Sequence, residues 1–293
     1  MSDALLQVLI SGLTLGAMYA VGAIGLSITW GSLNVLNMAH GAMLSVGAYL
    51  AFSLATTLGV STWVALLGAI TLGGCIGALI YVLIVRALLN QPAFEVNVVI
   101  ATIGVAFILE NTVLQIYGGY PLKQPVDIDG GFKIGSIFIP LRSVLLMAVG
   151  IFIMLAVAAF LERTRTGRAV RAISQNKDAA LLMGVRVGRI FALVLGISGA
   201  LSAASGIMLS MITTLSPGMG YDPMLKALII CVLSGLGNLR GALIVAIAIG
   251  ILEAFVQFTL GVRFALPVLL LVVIVGLIWK PTGIFGRRDA VRL

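Results

Sequence analysis

Apolar runs separated by short polar breaks make up most of the chain. They extend from about Leu5 to Ile28, Ala42 to Leu58, Trp63 to Leu89, Val96 to Tyr117, Leu141 to Leu161, Ile190 to Ile212, Met224 to Leu236, Ala242 to Phe258 and Phe264 to Trp279. A bilayer core needs about 20 apolar residues of helix, and most of these runs supply them. None alternates with the period of two that a barrel strand requires. The pattern predicts an all-α protein, a polytopic transmembrane helix bundle of eight to nine spans, forming a single domain over 1–293. The count stays open at 31–41 and 224–241, where Gly and polar residues interrupt the runs and predict broken or re-entrant helices. GSLN and GLGN each precede an apolar helix, a faint echo of the kind an internal repeat leaves. The loop 118–140 contains Asp129-Gly130-Gly131 between apolar residues, which predicts a small hairpin.

The one long polar interruption is 162–189, ERTRTGRAVRAISQNKDAALLMGVRVGR. Val170 and Ile173, then Ala180 and Met183, recur at helical spacing, so short helices are expected. Asn176 is placed to cap the second of them, with Asp178 in its first turn, where the helix dipole favours an anion. Gly184 is a suitable stop. A compact basic helical loop between two spans is either a docking surface or a solvated loop that fixes orientation by its charge.

Composition agrees with the pattern. Of 293 residues 61% are hydrophobic and only 10% charged, and the mean hydropathy is +1.19. A soluble domain carries about 25% charged residues, so too few remain here to clothe a water-facing surface. The 35 glycines suit close helix contact in lipid. The net charge of +8 does not imply nucleic acid, because the cations cluster at the membrane edges. Arg86, the seven cations of 163–189, Lys280, Arg287, Arg288 and Arg292 must share a side, the cytoplasmic one. Lys123, Lys133, Arg142 and Arg263 fall on the other, diluted by Asp127 and Asp129. This puts the C-terminus inside and, if every run crosses, the N-terminus outside. The opening MSDALLQ lacks a basic n-region and leads into a spanning run, so it is expected to be a span and not a cleaved leader.

No catalytic signature is present. A triad would have to use His40, the single histidine, and no GxSxG elbow accompanies it. Cys75 and Cys231 lie within apolar runs and read as packing residues, so neither a metal site nor a cofactor is expected. There is no GxxxxGK[ST] loop, so ATP, if used, is bound by a separate subunit. The informative residues are polar ones in apolar context: Asn34, Asn37, His40, Glu110, Asn111, Asn238, Glu253 and Gln257. A charge at mid-membrane costs at least about 2.5 kcal/mol on insertion scales and usually faces a cavity or a partner. Glu110 with Asn111, and Glu253 with Gln257, either line a translocation path or bond helices together. Glu253 and Gln257 are spaced to share a helix face. His40 is either a pore or substrate contact or a brace for the break beside Gly41. Lys226 and Arg240 are expected to snorkel to the two interfaces. A broken helix frees backbone N–H and C=O groups, which can hold the two ends of a zwitterion such as an amino acid.

NVLNMAHGAMLSVGAYLAF (34–52) resembles the motif after the first span in permeases of branched-chain amino acid ABC importers, which carry an Asn, an Ala-His-Gly or close variant, and a Gly-Ala-Tyr. TRTGRAVRAISQNKDAALLMGVRVGRI (164–190), with Arg168 and Arg171, is similar to that family's cytoplasmic coupling loop. Its core from Ala179 and Ala180 to Gly184 looks like the EAA-x3-G pattern, with Asp178 where Glu is usual. VLSGLGNLRGALIVAIAIGILE (232–253) is similar to the family's Gly-rich segment, with Ser234-Gly235 where Gly-Gly is commoner. The resemblance covers essentially the whole chain. It implies a multi-pass permease of a bacterial inner membrane with no enzymatic activity of its own. A second related permease, two ATPases docked on the coupling loops and an extracytoplasmic binding protein would complete the importer, with membrane lipid around it. The substrate implied is a branched-chain or other hydrophobic amino acid. Urea or short amides on the same architecture are the alternative within the class. An ion-coupled carrier or channel, which needs no docking loop, and an assembly protein with no transport role are the alternatives outside it.

Overall fold

The computed structural model describes residues 2–286 apart from 90, 127, 129, 135 and 136. Asp127, Asp129, Arg287, Arg288 and Arg292, which entered the charge argument, lie outside the described residues. Eleven helices follow one another: α1 Ser2–Leu33, α2 His40–Thr56, α3 Thr62–Leu88 (with a π turn at Tyr81–Val85), α4 Phe94–Tyr117, α5 Leu141–Arg163, α6 Arg165–Gln175, α7 Lys177–Leu182, α8 Val187–Ser210, α9 Tyr221–Ser234, α10 Leu239–Thr259 and α11 Ala265–Trp279. β1 Gly131–Ile134 pairs antiparallel with β2 Ile137–Pro140, Phe132 opposite Ile139. The expected hairpin therefore exists, with Ile134 as the last residue paired, opposite Ile137, beyond Asp129-Gly130-Gly131. Gly130 instead closes its base, accepting from the Leu141 N–H at 3.0 Å.

Among the described residues seven helices are long and apolar enough to cross a membrane, and α2 and α9 are not among them. These have 17 and 14 residues. At 1.5 Å per residue they reach about 26 and 21 Å, short of a 30 Å core. Both start at mid-depth. His40, the first residue of α2, bonds the Gly22 carbonyl 3.0 Å away, about 16 Å from the end of α1. Gly220, just before α9, donates its N–H to Ser45 Oγ in α2 at 3.0 Å. From that level α2 runs toward the end of the bundle where Ser53 meets Tyr117. α9 runs the opposite way, to the turn at Gly235. Segments 34–39 and 211–220 complete the two crossings without helix. The nine apolar runs thus fit nine passes, two of them part helix and part turns and loop.

The sign of the loops follows the passes. Gly31 at the end of α1, Ser174 of α6 and Gly237 meet at one end, where a Cβ on Gly31 would lie 3.3 Å from Gly237 Cα and 3.7 Å from Ser174 Oγ. Lys280 and the basic loop share that end. The start of α1, the hairpin, Lys123, Arg142 and Arg263 share the other. α8 is the central helix, enclosed by α1, α2 and α3. Without a hydrophobic drive in lipid, packing itself holds such helices, and small residues bring backbones close. On the α1/α10 seam a Cβ on Gly12 would lie 2.6 Å from Ile251 Cα, and one on Gly16 2.8 Å from Ile247 Cα.

Candidate functional site

The starts of α2 and α9 face each other in the middle of the bundle. A Cβ on Gly41 would come 2.9 Å from the Gly220 carbonyl oxygen, so only glycine fits this approach. Two helix N-termini, each the positive end of a helix dipole, converge there, with the His40, Gly220 and Tyr221 N–H groups bonded within the junction. The break is built by its own polar residues. Asn34 ends α1 in the left-handed region, at φ +58, and its amide donates to Glu95 Oε1 at 3.1 Å. Asn37 is buried and accepts from the Ala39 N–H at 3.1 Å, which turns the chain into α2. His40 is fully enclosed. Its Nε2 lies 3.0 Å from the Gly22 carbonyl and its Nδ1 2.7 Å from Ser202 Oγ. The ring needs both bonds in a dry interior, and it ties α2 to α1 and α8.

Around this junction lie the intramembrane charges. Tyr221, at the start of α9, donates to Glu110 Oε2 of α4 at 2.6 Å. Neighbouring Asn111 bonds only its own helix, at Phe107. Lys226 departs from its expected place at an interface. It is 5% exposed, and its ammonium sits 2.6 Å from both Asp222 Oδ2 and Glu253 Oε1. It also donates to the Tyr19 hydroxyl at 3.0 Å. A carboxylate on the facing helix draws the lysine inward, and snorkelling would strand that carboxylate. Gln257 donates to the same Glu253 oxygen at 3.0 Å, across the expected shared face. Arg240 is exposed at the basic end and holds Glu162 at 2.8 Å. Asp222, Tyr221, Tyr19 and Ser202 were not singled out from the sequence. The i, i+4 spacing of Asp222 and Lys226 was the available signal, whereas Tyr19 and Ser202 look like ordinary span residues.

At the basic end, α6 and α7 form a capped pair. Thr164 Oγ1 accepts from the Gly167 N–H and Asn176 Oδ1 from the Ala179 N–H, each at 2.9 Å. Asn176 is thus the cap expected for α7. Val170, Ile173 and Ala180 are buried and fasten the pair to the bundle, while Arg168, Arg171, Asp178 and Ala179 face outward. Gly184, at φ +79, ends α7 in a Schellman turn, with Val185 N–H on the Ala180 carbonyl and Gly184 N–H on Leu181. This turn presents Leu182 and Met183 to the outside, 89% and 84% exposed. Asn238, capping α10 at Gly241 N, also donates to the Phe285 carbonyl at 2.8 Å. The segment 280–286 thereby clasps the turn between α9 and α10, with Ile284 N–H on the Leu233 carbonyl at 2.7 Å.

Seven long apolar helices, with two shorter ones meeting at mid-depth beside buried charges, make the chain a polytopic membrane protein. A family model described as "Branched-chain amino acid transport system / permease component" matches residues 8–279. The chain is 30% identical to the high-affinity branched-chain amino acid transport system permease protein LivH of Escherichia coli K12, over 97% of this chain and 96% of that protein. It is 29% identical to BraD of Pseudomonas aeruginosa, similarly named, with the same coverage. The ribose import permease protein RbsC of Escherichia coli K12 is 29% identical over 74% of this chain and 69% of its own length. The chain belongs to the branched-chain amino acid transport system permease family.

Proposed function

We propose that the chain is the transmembrane subunit of an ATP-binding-cassette importer that brings branched-chain or other hydrophobic amino acids into the cytoplasm. The observation that carries this is the α6–α7 pair. Two capped short helices with outward Arg168, Arg171, Asp178 and Ala179, and with Leu182 and Met183 bare at the tip, form a firm, partly apolar platform. An ion-driven carrier has no use for it, and an ATPase groove would cover it. Ala180 and Gly184 fix its angle. On this reading the basic end is cytoplasmic, together with the C-terminus. Two ATPases, a second related permease and an extracytoplasmic binding protein complete the machine, and ATP is hydrolysed on the ATPases alone. The substrate passes the mid-depth junction near Gly41, Glu110 and Asn111. Its carboxylate would suit the two helix N-termini there. Asn34, Asn37 and His40 shape the break before α2, Asn238 caps the turn between α9 and α10 at the basic end, and Glu253 and Gln257 hold the charge beside the path. The names of LivH and BraD favour amino acids. That of RbsC shows that a relative so named imports a different solute.

Uptake in sealed vesicles tests this reading, with the neighbouring permease, ATPases and binding protein co-expressed. ATP-dependent accumulation of labelled leucine is expected. ATP-dependent uptake of urea in its place would keep the mechanism and change the substrate, while uptake indifferent to ATP would overturn the docking role of α6–α7.

A further inference from the structure

Ser27 and Ser32 lie on α1 and are 1% and 7% exposed, yet neither hydroxyl has a hydrogen-bond partner. Serine and threonine in membrane helices normally bond the carbonyl one turn back, as Thr14 and Thr29 do here with Ile10 and Gly25. Both orphaned serines line one cavity of about 220 Å³ at the basic end. A water's share of liquid volume is about 30 Å³, so the space suits about seven water-sized groups. Ile28, Leu161, Val170 and Leu239 give it apolar walls, and Arg171 and Ser174 of α6 stand at its rim. Glu162, a carboxylate close to that rim, is held directly by Arg240 at 2.8 Å. Arg171 also attracts it through space, but forms no direct ion pair with it and keeps its guanidinium N–H groups for an incoming anion. A second cavity of about 460 Å³ adjoins it through Gly31, Ser174 and Gly237, and Trp30 and Asn34 line it.

We propose that this cavity is a binding site for a small branched aliphatic carboxylate, separate from the mid-depth junction. The carboxylate meets Arg171 and the hydroxyls of Ser27 and Ser32, and the alkyl chain lies against Ile28, Leu161 and Val170. Buried hydroxyls without partners, an apolar wall and one cation at the rim fit that chemistry, whereas a sugar would leave the wall unmatched and a bare phosphate would leave it empty. The occupant is wedged between α6 and the end of α1, and so resists movement of α6. On the importer reading this makes it a brake applied by accumulated product or by its deaminated acid, but the binding itself does not depend on that reading.

The test uses the full-length chain in lipid nanodiscs, with Trp63 and Trp279 changed to Phe so that Trp30 alone reports. Leucine and 4-methylpentanoate, which lacks the ammonium group, are titrated separately. A saturable change in Trp30 emission is expected with at least one of them. Response to leucine alone assigns the site to the amino acid, and response to both assigns it to the carboxylate and alkyl chain. Ser27→Val/Ser32→Val, which fills the cavity with methyl groups, is expected to weaken binding at least tenfold. Ser27→Ala/Ser32→Ala, which keeps the space and removes the hydroxyls, gives an intermediate loss and controls for folding. No saturable signal with either compound, or binding unchanged in the valine variant of a correctly eluting protein, would overturn the site. Failure of ATP-driven uptake in the vesicle assay would leave these readings untouched.

Discussion

The lysine that the sequence placed at an interface supplies the sharpest test of the bundle. Lys226→Met keeps the length and apolar stem of the side chain and removes the ammonium. Glu253, 2% exposed, then keeps a single hydrogen bond, from Gln257. Its second oxygen already has no partner. Removing one member of a buried pair costs about 3–5 kcal/mol, most of it the penalty of the stranded charge. At about 2–4 °C per kcal/mol for chains of this order, the midpoint should fall by on the order of 10 °C. Asp222→Asn removes the other carboxylate at the same ammonium, but that side chain is 57% exposed, so about 0–1 kcal/mol is expected. Lys226→Met/Glu253→Gln removes both buried charges and should regain most of the loss. The assay is thermal unfolding of the purified chain in detergent, followed by tryptophan emission and by elution of the monodisperse peak. A Lys226→Met midpoint within about 2 °C of wild type would refute the reasoning. So would a double variant no more stable than Lys226→Met.

The other expectations concern the docking pair, the brace and the seam. Ala180→Arg places a charge at a buried contact, and Gly184→Pro demands a negative φ where the chain has +79. Each should cut ATP-driven uptake at least tenfold in vesicles while membrane insertion stays normal, and unchanged uptake in both would exclude the docking role. His40→Ala leaves the Ser202 hydroxyl without its imidazole partner and removes a second bond from the Gly22 carbonyl, a loss of about 1–3 kcal/mol, read as a lower unfolding midpoint. His40→Asn, which keeps a donor and an acceptor, should lose less. Gly250→Leu drives a Cβ to 2.5 Å from the Gly12 carbonyl oxygen across the α1/α10 seam, so monodisperse protein should fall several-fold on size exclusion; an unchanged yield would mean that the two helices part easily.

Much of this architecture is legible in the order of residues because membrane helices obey a one-dimensional rule. Length and hydropathy fix the seven long helices. Thr62–Leu88 and Phe94–Tyr117 lie within a few residues of the runs read from sequence. One break is legible too, since Gly and Asn stand out at 31–41; the second was expected within 224–241 but lies at 211–220, before α9, and 235–238 is only the turn into α10 at the basic end. Depth and rotation are not. The pattern around His40 marks an interruption, but only the fold shows that it lies at the level of Gly22 and Gly220. Lys226 was misplaced because an isolated cation in an apolar run is matched to the nearest interface, and nothing local reveals a carboxylate 27 positions on. The hairpin turn moved for a similar reason: Asp129-Gly130-Gly131 has turn chemistry, but Leu141 recruits the Gly130 carbonyl as a closing pair.

The distribution of strong and weak contacts carries a consequence for how such a bundle can move. At the basic end the chain is tied repeatedly: caps at Thr164, Asn176 and Asn238, the Arg240–Glu162 pair, and the clasp of 280–286 on Leu233 and Ser234. On the flank of α9 the ammonium of Lys226 binds three partners. Between α2 and α9 themselves, the described hydrogen bond is the one from Gly220 N–H to Ser45 Oγ, flanked by glycine backbone. Met224 packs on Gly41 there, and this contact is much smaller than the seam of α1 on α10, so sliding at it disturbs less packing. A two-state rearrangement concentrates where the fewest interactions must be remade. The junction of the two half-helices is therefore where such a rearrangement would disturb the fewest contacts. α1 touches it at Gly22 and meets α6 at Gly31, so one continuous helix links the basic end to the middle of the bundle.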